Sequence, residues 1–417
     1  MVRKRPWKKG TKMKNNQKNI PDGWQAIKLS SIFEFKNGLN KEKTFFGHGT
    51  PIINYMDINR GGGLYEDNIH GRVDVNKSEL DRFNVKKGDV FFTRTSETLE
   101  EIGFSAVALD DFQDTVFSGF VLRARPKGQL LIPNFAQYCF KAQTARKEIM
   151  EKSSYTTRAL TSGTLLNHVN IALPPSPEQN RIVAVLEAWD RAIEKLKKKI
   201  EIKKQVKKGL MQELLTGKTR LPGFQGDWHT VELQDICSIN MGQSPPSAAY
   251  NENGDGLPLI QGNNDIKERK TVVRIWTNQI TKTGDKGDIV MTVRAPVGWI
   301  GVATEKVCLG RGICSIKSKN SDPSFVLKLL ESYESRWKSL EQGSTFSAVN
   351  SSDIKSLSLF VPKSRDEQGE IANILVMVDS EIGLLNKERI ILQNQKKYLL
   401  NNLITGAIRT PETLKVN

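Results

Sequence analysis

Few side chains in this 417-residue chain fall at spacings that could do covalent chemistry. Gly217-Lys218-Thr219 has the residue types that close a phosphate-cradling loop, where backbone N–H groups wrap the phosphate and the lysine reaches its outer oxygens. The glycine that opens such a loop would be residue 212, which is Gln212. The match therefore fails, and Gly217 reads as the C′ glycine that ends a helix. Metal centres need clustered ligands. His48, His70, His168 and His229 are scattered and no CxxC or HExxH occurs, so no metal site is expected. Cys139, Cys237, Cys308 and Cys314 are too few for a disulfide framework. Pro174-Pro175 and Pro245-Pro246 lack the Asn or Asp before and the aromatic after that an amino-methyltransferase would show. No Gly-rich strand-to-helix turn suggests a nucleotide fold. What remains is a set of polar loops whose side chains can recognise a partner by hydrogen bonds without reacting with it.

Charge narrows the partner. The chain carries 62 Lys+Arg against 46 Asp+Glu, a net +16, with a pI near 9.5. An acidic polyelectrolyte is the default partner for such a balance, nucleic acid above all. The excess is uneven. Residues 1–19 carry +8 and residues 178–220 carry +6, leaving +2 for the rest. Bulk charge therefore sits outside the polar loops, and discrimination has to come from a few placed side chains. No apolar run approaches the roughly 20 residues that span a membrane. The basic start, Met1-Val2-Arg3-Lys4-Arg5, has no apolar stretch behind it, so a secretory signal is not expected, and the few cysteines fit a reducing, cytoplasmic setting.

The elements that must position these loops come in two copies. Glu178-Gln179 recurs as Glu367-Gln368, and at that offset Ile182, Leu186, Asp190, Lys207, Thr216, Gly217 and Arg220 meet Ile371, Leu375, Asp379, Lys396, Thr405, Gly406 and Arg409 without a gap. The preceding regions correspond more loosely. Trp24-x-x-Ile27-x-Leu29 matches Trp228-x-x-Val231-x-Leu233, and Pro51-Ile52-Ile53 with Asp57-Ile58 matches Pro258-Leu259-Ile260 with Asp265-Ile266. Gly88-Asp89-Val90 with Thr93-Arg94 matches Gly287-Asp288-Ile289 with Thr292 and Arg294. Each half is a variable globular module followed by a more uniform segment.

The uniform segments read as long helices. Apolar residues fall at Ile182, Leu186, Trp189, Ile193, Leu196, Leu210 and Leu214, and at Ile371, Leu375, Val378, Ile382, Leu385, Leu392, Leu399 and Leu403. Steps of four and three are the heptad signature. Ser176-Pro177-Glu178-Gln179 predicts an N-cap serine with a capping-box glutamine, and Ser364-x-x-Glu367 the same device. Thr-Gly closes both, with Pro222 and Pro411 beyond. A helix over 177–216 would be about 60 Å long. So narrow a stripe needs a second one to bury it, which favours pairing of the two helices over each lying on its own module. Periodicity leaves their orientation open.

The modules read as mostly β. Strands are predicted at 51–54, 88–93, 103–109, 117–123, 258–261, 287–293, 299–304 and 311–316, with an amphipathic helix near 134–150 and another near 324–341. A polar loop follows each helix, Ser153–Arg158 and Gly343–Ser347. The expected organisation is a basic tail 1–19, a module 20–175, a spacer helix 176–217, a second module 218–363, a second spacer helix 364–408 and a tail 409–417. Two similar but unequal modules at a fixed spacing suggest a ruler reading two unequal half-sites on DNA. Arg can clasp guanine bidentately and Asn or Gln adenine. The candidate readers are Lys36, Asn37, Asn54, Arg60, Arg94, Tyr155 and Arg158 in the first module. In the second they are Gln243, Ser244, Gln261, Asn263, Asn264, Arg294, Arg311, Ser344 and Thr345. The competing readings are a self-contained DNA methyltransferase or nuclease with an unrecognised site, and a non-DNA coiled-coil scaffold.

The pattern resembles the specificity subunit of type I restriction–modification systems, from Ile20 to Arg409. The resemblance rests on Gly242-Gln243-Ser244-Pro245-Pro246, Pro258-Leu259-Ile260-Gln261-Gly262, Val293-Arg294-Ala295-Pro296-Val297-Gly298, Leu309-Gly310-Arg311-Gly312, and Leu173-Pro174-Pro175-x-x-Glu178-Gln179 leading into Leu214-Leu215-Thr216-Gly217. It implies an α+β fold with two target-recognition domains, each followed by a long helix, the helices pairing as an antiparallel coiled coil with an internal pseudo-two-fold. It implies a non-catalytic subunit that binds no cofactor. Two methyltransferase subunits would carry S-adenosylmethionine, and restriction–translocase subunits ATP and Mg. The first module departs from the pattern. It has Lys36-Asn37-Gly38 where the Gly-Gln-Ser-Pro-Pro motif would begin, and Ser-Glu-Thr near Arg94 where Ala-Pro-Val is expected.

Overall fold

The computed structural model describes residues 20–334, 337 and 349–415. The tail 1–19 and the candidates Ser344 and Thr345 lie outside the described residues. The chain divides into two compact units, one running to Lys195 and resuming at Arg389, the other spanning Leu196–Glu388.

In the first unit a five-stranded sheet has the order Phe33–Asn37, Val121–Pro126, Val90–Thr93, Ser105–Ala108, Gly62–Leu64, with only the last pair parallel. In the second, a six-stranded sheet begins in the same order with Cys237–Met241, Ile313–Ser318, Ile289–Thr292, Ile300–Val302 and Lys270–Thr271, the last two again parallel, and Ile266–Lys267 adds an antiparallel edge. Phe46–Ile53 runs parallel to Val116–Phe117, as Leu257–Ile260 does to Val307–Leu309. Each module is closed by an antiparallel pair, Gln25–Lys28 with Asn170–Leu173 and Trp228–Glu232 with Ser358–Pro362. Most apolar runs predicted as strands are these central strands, shifted by a few residues at their ends; the run 117–123 is instead the end of Val116–Phe117, a turn at Gly119 and Phe120, and the start of Val121–Pro126.

Other expectations for the first module are corrected as well. The helix expected near 134–150 is two helices, Pro133–Cys139 and Gln143–Lys152, broken where Phe140 and Ala142 turn into the core. The polar loop 153–158 is part of a hairpin. Ser154–Tyr155 pairs with Ala159–Leu160, which pairs in turn with Thr95–Ser96.

The long helices are Ser176–Leu214 and Arg365–Thr405. Gly217 and Gly406 follow them at φ +70° and +71°, the left-handed geometry of a C′ glycine. Within each unit a segment of one helix lies antiparallel to a segment of the other. In the first unit Glu178 and Asp190 meet Arg409 and Lys396. In the second Lys203, Lys207 and Arg220 meet Glu381, Asp379 and Glu367. As one helix number rises, the other falls.

Of the predicted stripes, Ile193, Leu196 and Leu385 are buried, while Trp189, Val378, Ile382, Leu392, Leu399 and Leu210 are half-buried. Pairing with the other helix and packing on a module are not alternatives. Ile182 and Leu186 enter the first module's core beside Trp24, Leu29 and Phe135, together with Leu403 and Ile404 of the C-terminal helix. Ile371, Leu375 and Leu214 do the same in the second core.

The repeated Glu-Gln is the lock of each joint. Glu178 and Glu367 are buried, each bidentate to an arginine: Arg409 at 2.6 and 2.8 Å, Arg220 at 2.7 and 3.0 Å. Each also accepts from an indole N–H, that of Trp24 at 2.9 Å or Trp228 at 3.2 Å. The Gln179 amide accepts from the Ile132 N–H and donates to Pro174 O, and the Gln368 amide accepts from the Asp322 N–H and donates to Pro362 O. The capping-box expectation is therefore wrong for Gln179, which clamps the module onto the helix. Pro175 O accepts the first helical N–H groups. Ser364 does cap its helix, its hydroxyl accepting from the Glu367 N–H at 3.3 Å.

Candidate nucleic-acid interface

In the second module the Gly-Gln-Ser-Pro-Pro segment leaves the sheet edge at Met241, opposite Cys314. Gly242 must be glycine, because a Cβ there would lie 2.2 Å from Gly310 O. The Gln243 N–H donates to Leu309 O at 2.8 Å and its carbonyl accepts from the Thr281 hydroxyl. Ser244 Oγ accepts the Arg311 N–H at 3.0 Å. The Tyr250 hydroxyl donates to Pro245 O at 3.2 Å and accepts from Gln261 Nε2 at 3.0 Å. Buried Asp265 fixes the neighbouring loop. Its Oδ2 accepts the N–H groups of Gln261 (2.8 Å) and Gly262 (3.2 Å), and its Oδ1 accepts from Arg274 Nε (2.6 Å).

Ser244, Gln261, Asn263, Arg294 and Arg311 consequently line one concavity. Gln243 and Asn264 are exposed. Arg294 and Arg311 are exposed and have no carboxylate partner among the described residues, whereas Arg220, Arg269 and Arg274 of the same unit are ion-paired. Unpaired, solvent-facing guanidiniums keep their donors for a ligand.

The first module keeps the frame and changes the fittings. A Cβ on Gly38 would lie 2.1 Å from Ser118 O, and the Leu39 N–H donates to Phe117 O at 2.9 Å, so Gly38 stands where Gly242 stands. Asn40 then occupies the place of Ser244, Gly119 that of Arg311, and exposed Phe120 that of Gly312. Asn54 corresponds to Gln261, since its N–H donates to Asp57 as that of Gln261 donates to Asp265. Its amide, however, donates to Ile52 O and packs under Gly71, leaving it committed to the backbone.

Arg94 is one position out of the expected register. Its N–H donates to Phe120 O as that of Val293 donates to Gly312 O, so it is not the counterpart of Arg294. Its Nη1 holds Gly119 O at 2.8 Å. It shares an open concavity with exposed Asn37. Lys36 lies beside Arg123 and 5.9 Å from the Phe83 ring, and burial, then Arg123 and Arg82, lowers its pKa. Arg60 lines a separate concavity with Lys141 and Arg146. Tyr155 is exposed on the hairpin, and Arg158 there pairs with Glu97 at 3.1 Å.

Sequence reasoning missed Asn40, Phe120, Tyr250 and Asp265. Asp265 had a signal, its alignment with Asp57 in the repeat. The others had none, because their roles come from register between strands remote in sequence.

The four cysteines are buried and free, and burial pushes the thiols of Cys139, Cys237 and Cys314 up to about 12, so these three are protonated and unreactive at neutral pH. Among the described residues no cluster of His, Cys, Asp and Glu could hold a metal ion, and no helix is long and apolar enough to cross a membrane.

Two modules share one frame and differ in their polar loops, and comparison with known proteins gives this arrangement its class. The family described as type I restriction modification DNA specificity domain matches residues 21–204 and 225–394. The protein described as "Putative type I restriction enzyme MjaX specificity subunit" of Methanocaldococcus jannaschii is 30% identical over 414 residues, covering 94% of this chain and 95% of that one. Among solved structures, a chain of a type I R-M system aligns at TM-score 0.63 with 22% identity, covering 93% of this chain and 99% of that one. The HsdS subunit of Thermoanaerobacter tengcongensis aligns at 0.52 with 22% identity, covering 95% and 100%. At such identities the structures speak for the fold. The chain belongs to the type I restriction–modification DNA specificity family. It is a specificity subunit: it recognises DNA sequence and is not itself the enzyme.

Proposed function

We propose that the chain reads an asymmetric, interrupted DNA site, one half through each module. The observation that carries this is the conserved frame with different fittings. Ser244, Gln261 and Arg311 of one module stand where Asn40, Asn54 and Gly119 stand in the other. Different donors and acceptors in one frame select different bases. The DNA-facing set is Asn37, Asn40, Phe120, Tyr155 and Arg158 in the first module and Gln243, Gln261, Asn263, Asn264, Arg294 and Arg311 in the second.

The chain also serves as the scaffold of a cytoplasmic complex. Two methyltransferase subunits bring S-adenosylmethionine and restriction–translocase subunits bring ATP and Mg. The C-terminal helix supports the scaffold role. Met377, Leu384, Ile391 and Tyr398 lie one heptad apart and are exposed, a row of large apolar side chains with solvent as its neighbour.

The test is to co-purify the chain with its methyltransferase subunits and map methylated adenines by long-read sequencing. Modification within two unlike short motifs separated by unspecified bases is expected. Modification at one continuous motif, or none, contradicts the reading.

A further inference from the structure

We propose that Tyr250 and Ser244 are positioning residues that aim two base readers of the second module, Gln261 at adenine and Arg311 at guanine. The inference rests on the reading of this surface as a DNA interface and adds the base class of one half-site.

The chain of contacts starts at the turn-forming prolines. Pro245 O holds the Tyr250 hydroxyl, and that hydroxyl accepts one N–H of the Gln261 amide. Among the described residues Gln261 Oε1 and its second N–H have no partner. An acceptor and a donor side by side are what the N6–H and N7 edge of adenine requires. The Asp265 carboxylate holds the Gln261 backbone from the other side at 2.8 Å. The side chain is thus fixed at both ends and free only at its reading edge.

Arg311 is mounted differently. Ser244 Oγ fixes its N–H, and the strand Ile313–Ser318 begins two residues later. A Cβ on Gly312 would lie 2.3 Å from Gln261 O, so the residue beside Arg311 must be bare for the turn to sit against Gln261. Arg311 therefore projects from a tight turn, next to Gln261, with its fork unpaired. A fork of this kind matches O6 and N7 of guanine. The first module lacks the apparatus. Gly119 replaces Arg311, and the Asn54 amide is tied to Ile52 O.

The experiment selects binding sites from a randomised duplex library with the full chain in complex with its methyltransferase subunits. The wild type is compared with Arg311→Ala, Gln261→Ala, Tyr250→Phe and Ser244→Ala. The wild-type site is expected to contain a guanine and an adenine in one half. Arg311→Ala should lower the guanine preference by about 5- to 150-fold, and Gln261→Ala the adenine preference by a similar factor. Tyr250→Phe should weaken the adenine position alone, and Ser244→Ala the guanine position alone, with the other half-site unchanged. That unchanged half reports that each variant is folded. If Tyr250→Phe or Ser244→Ala relaxes all positions equally, their role is merely structural and the inference falls. A bipartite site whose bases ignore all four substitutions overturns this inference alone. Failure to select any sequence overturns the interface reading beneath it as well.

Discussion

Glu178 and Glu367 show how residues do double duty here. Each carboxylate is buried, yet it joins the helix that carries it, the residue after the far end of the other helix, and a module tryptophan. Removing the arginine leaves an uncompensated buried charge. Arg220→Ala is expected to destabilise the second unit by about 3–5 kcal/mol, and Arg409→Ala the first by a similar amount, as read by urea denaturation. A cost under about 1 kcal/mol would show that solvent relaxes around the carboxylate. Asp379 makes a second test. Burial alone would raise its pKa, but hydrogen bonds from Lys207 and Lys328 outweigh that and hold it below the usual carboxylate value. The folded pKa is depressed, so the ionised form contributes stability above the unfolded value near 4, and that contribution is lost as pH falls through the folded value. Asp379→Asn should therefore flatten the fall of stability below about pH 4. An unchanged acid limb would contradict the assignment. The Glu-Gln repeat is visible in the sequence, but its purpose is not. A helix-start rule reads Gln179 as a cap, because nothing local shows that the Ile132 N–H and Pro174 O lie across from it.

At the scale of elements, period and punctuation were legible. Heptad steps, Thr-Gly ends and glycine-bounded apolar runs placed both long helices and the central strands. Three things were not. The break at Phe140 depends on core space, not on a proline or glycine. The hairpin 154–160 exists because the Thr95–Ser96 edge offers it a partner. The start of each apolar stripe serves a module as well as the other helix, since Ile182 and Ile371 sit wholly inside module cores. The candidate site was legible in part for related reasons. Ser244, Gln261, Asn263, Arg294 and Arg311 lie in polar loops beside predicted strands, and the structure brings them to one concavity. Arg94 slipped by one because its alignment rested on residue type, while its guanidinium supports the Gly119 carbonyl.

For the whole molecule, the proposed reading of one half-site by each module predicts that the spacing of the half-sites follows the length of the two long helices. One heptad adds about 10 Å, or about three base pairs of duplex. Keeping seven residues preserves the apolar stripe. Net charge, which first points to nucleic acid, explains none of this, because the segments between the basic tail and the spacer helix are nearly neutral. The most direct measurement inserts one heptad into each long helix at equivalent positions, assembles the chain with its methyltransferase subunits, and maps the methylated motif. The expected result is an unchanged pair of half-sites with about three more unspecified base pairs between them. An altered half-site sequence, or an unaltered spacing, would contradict the account.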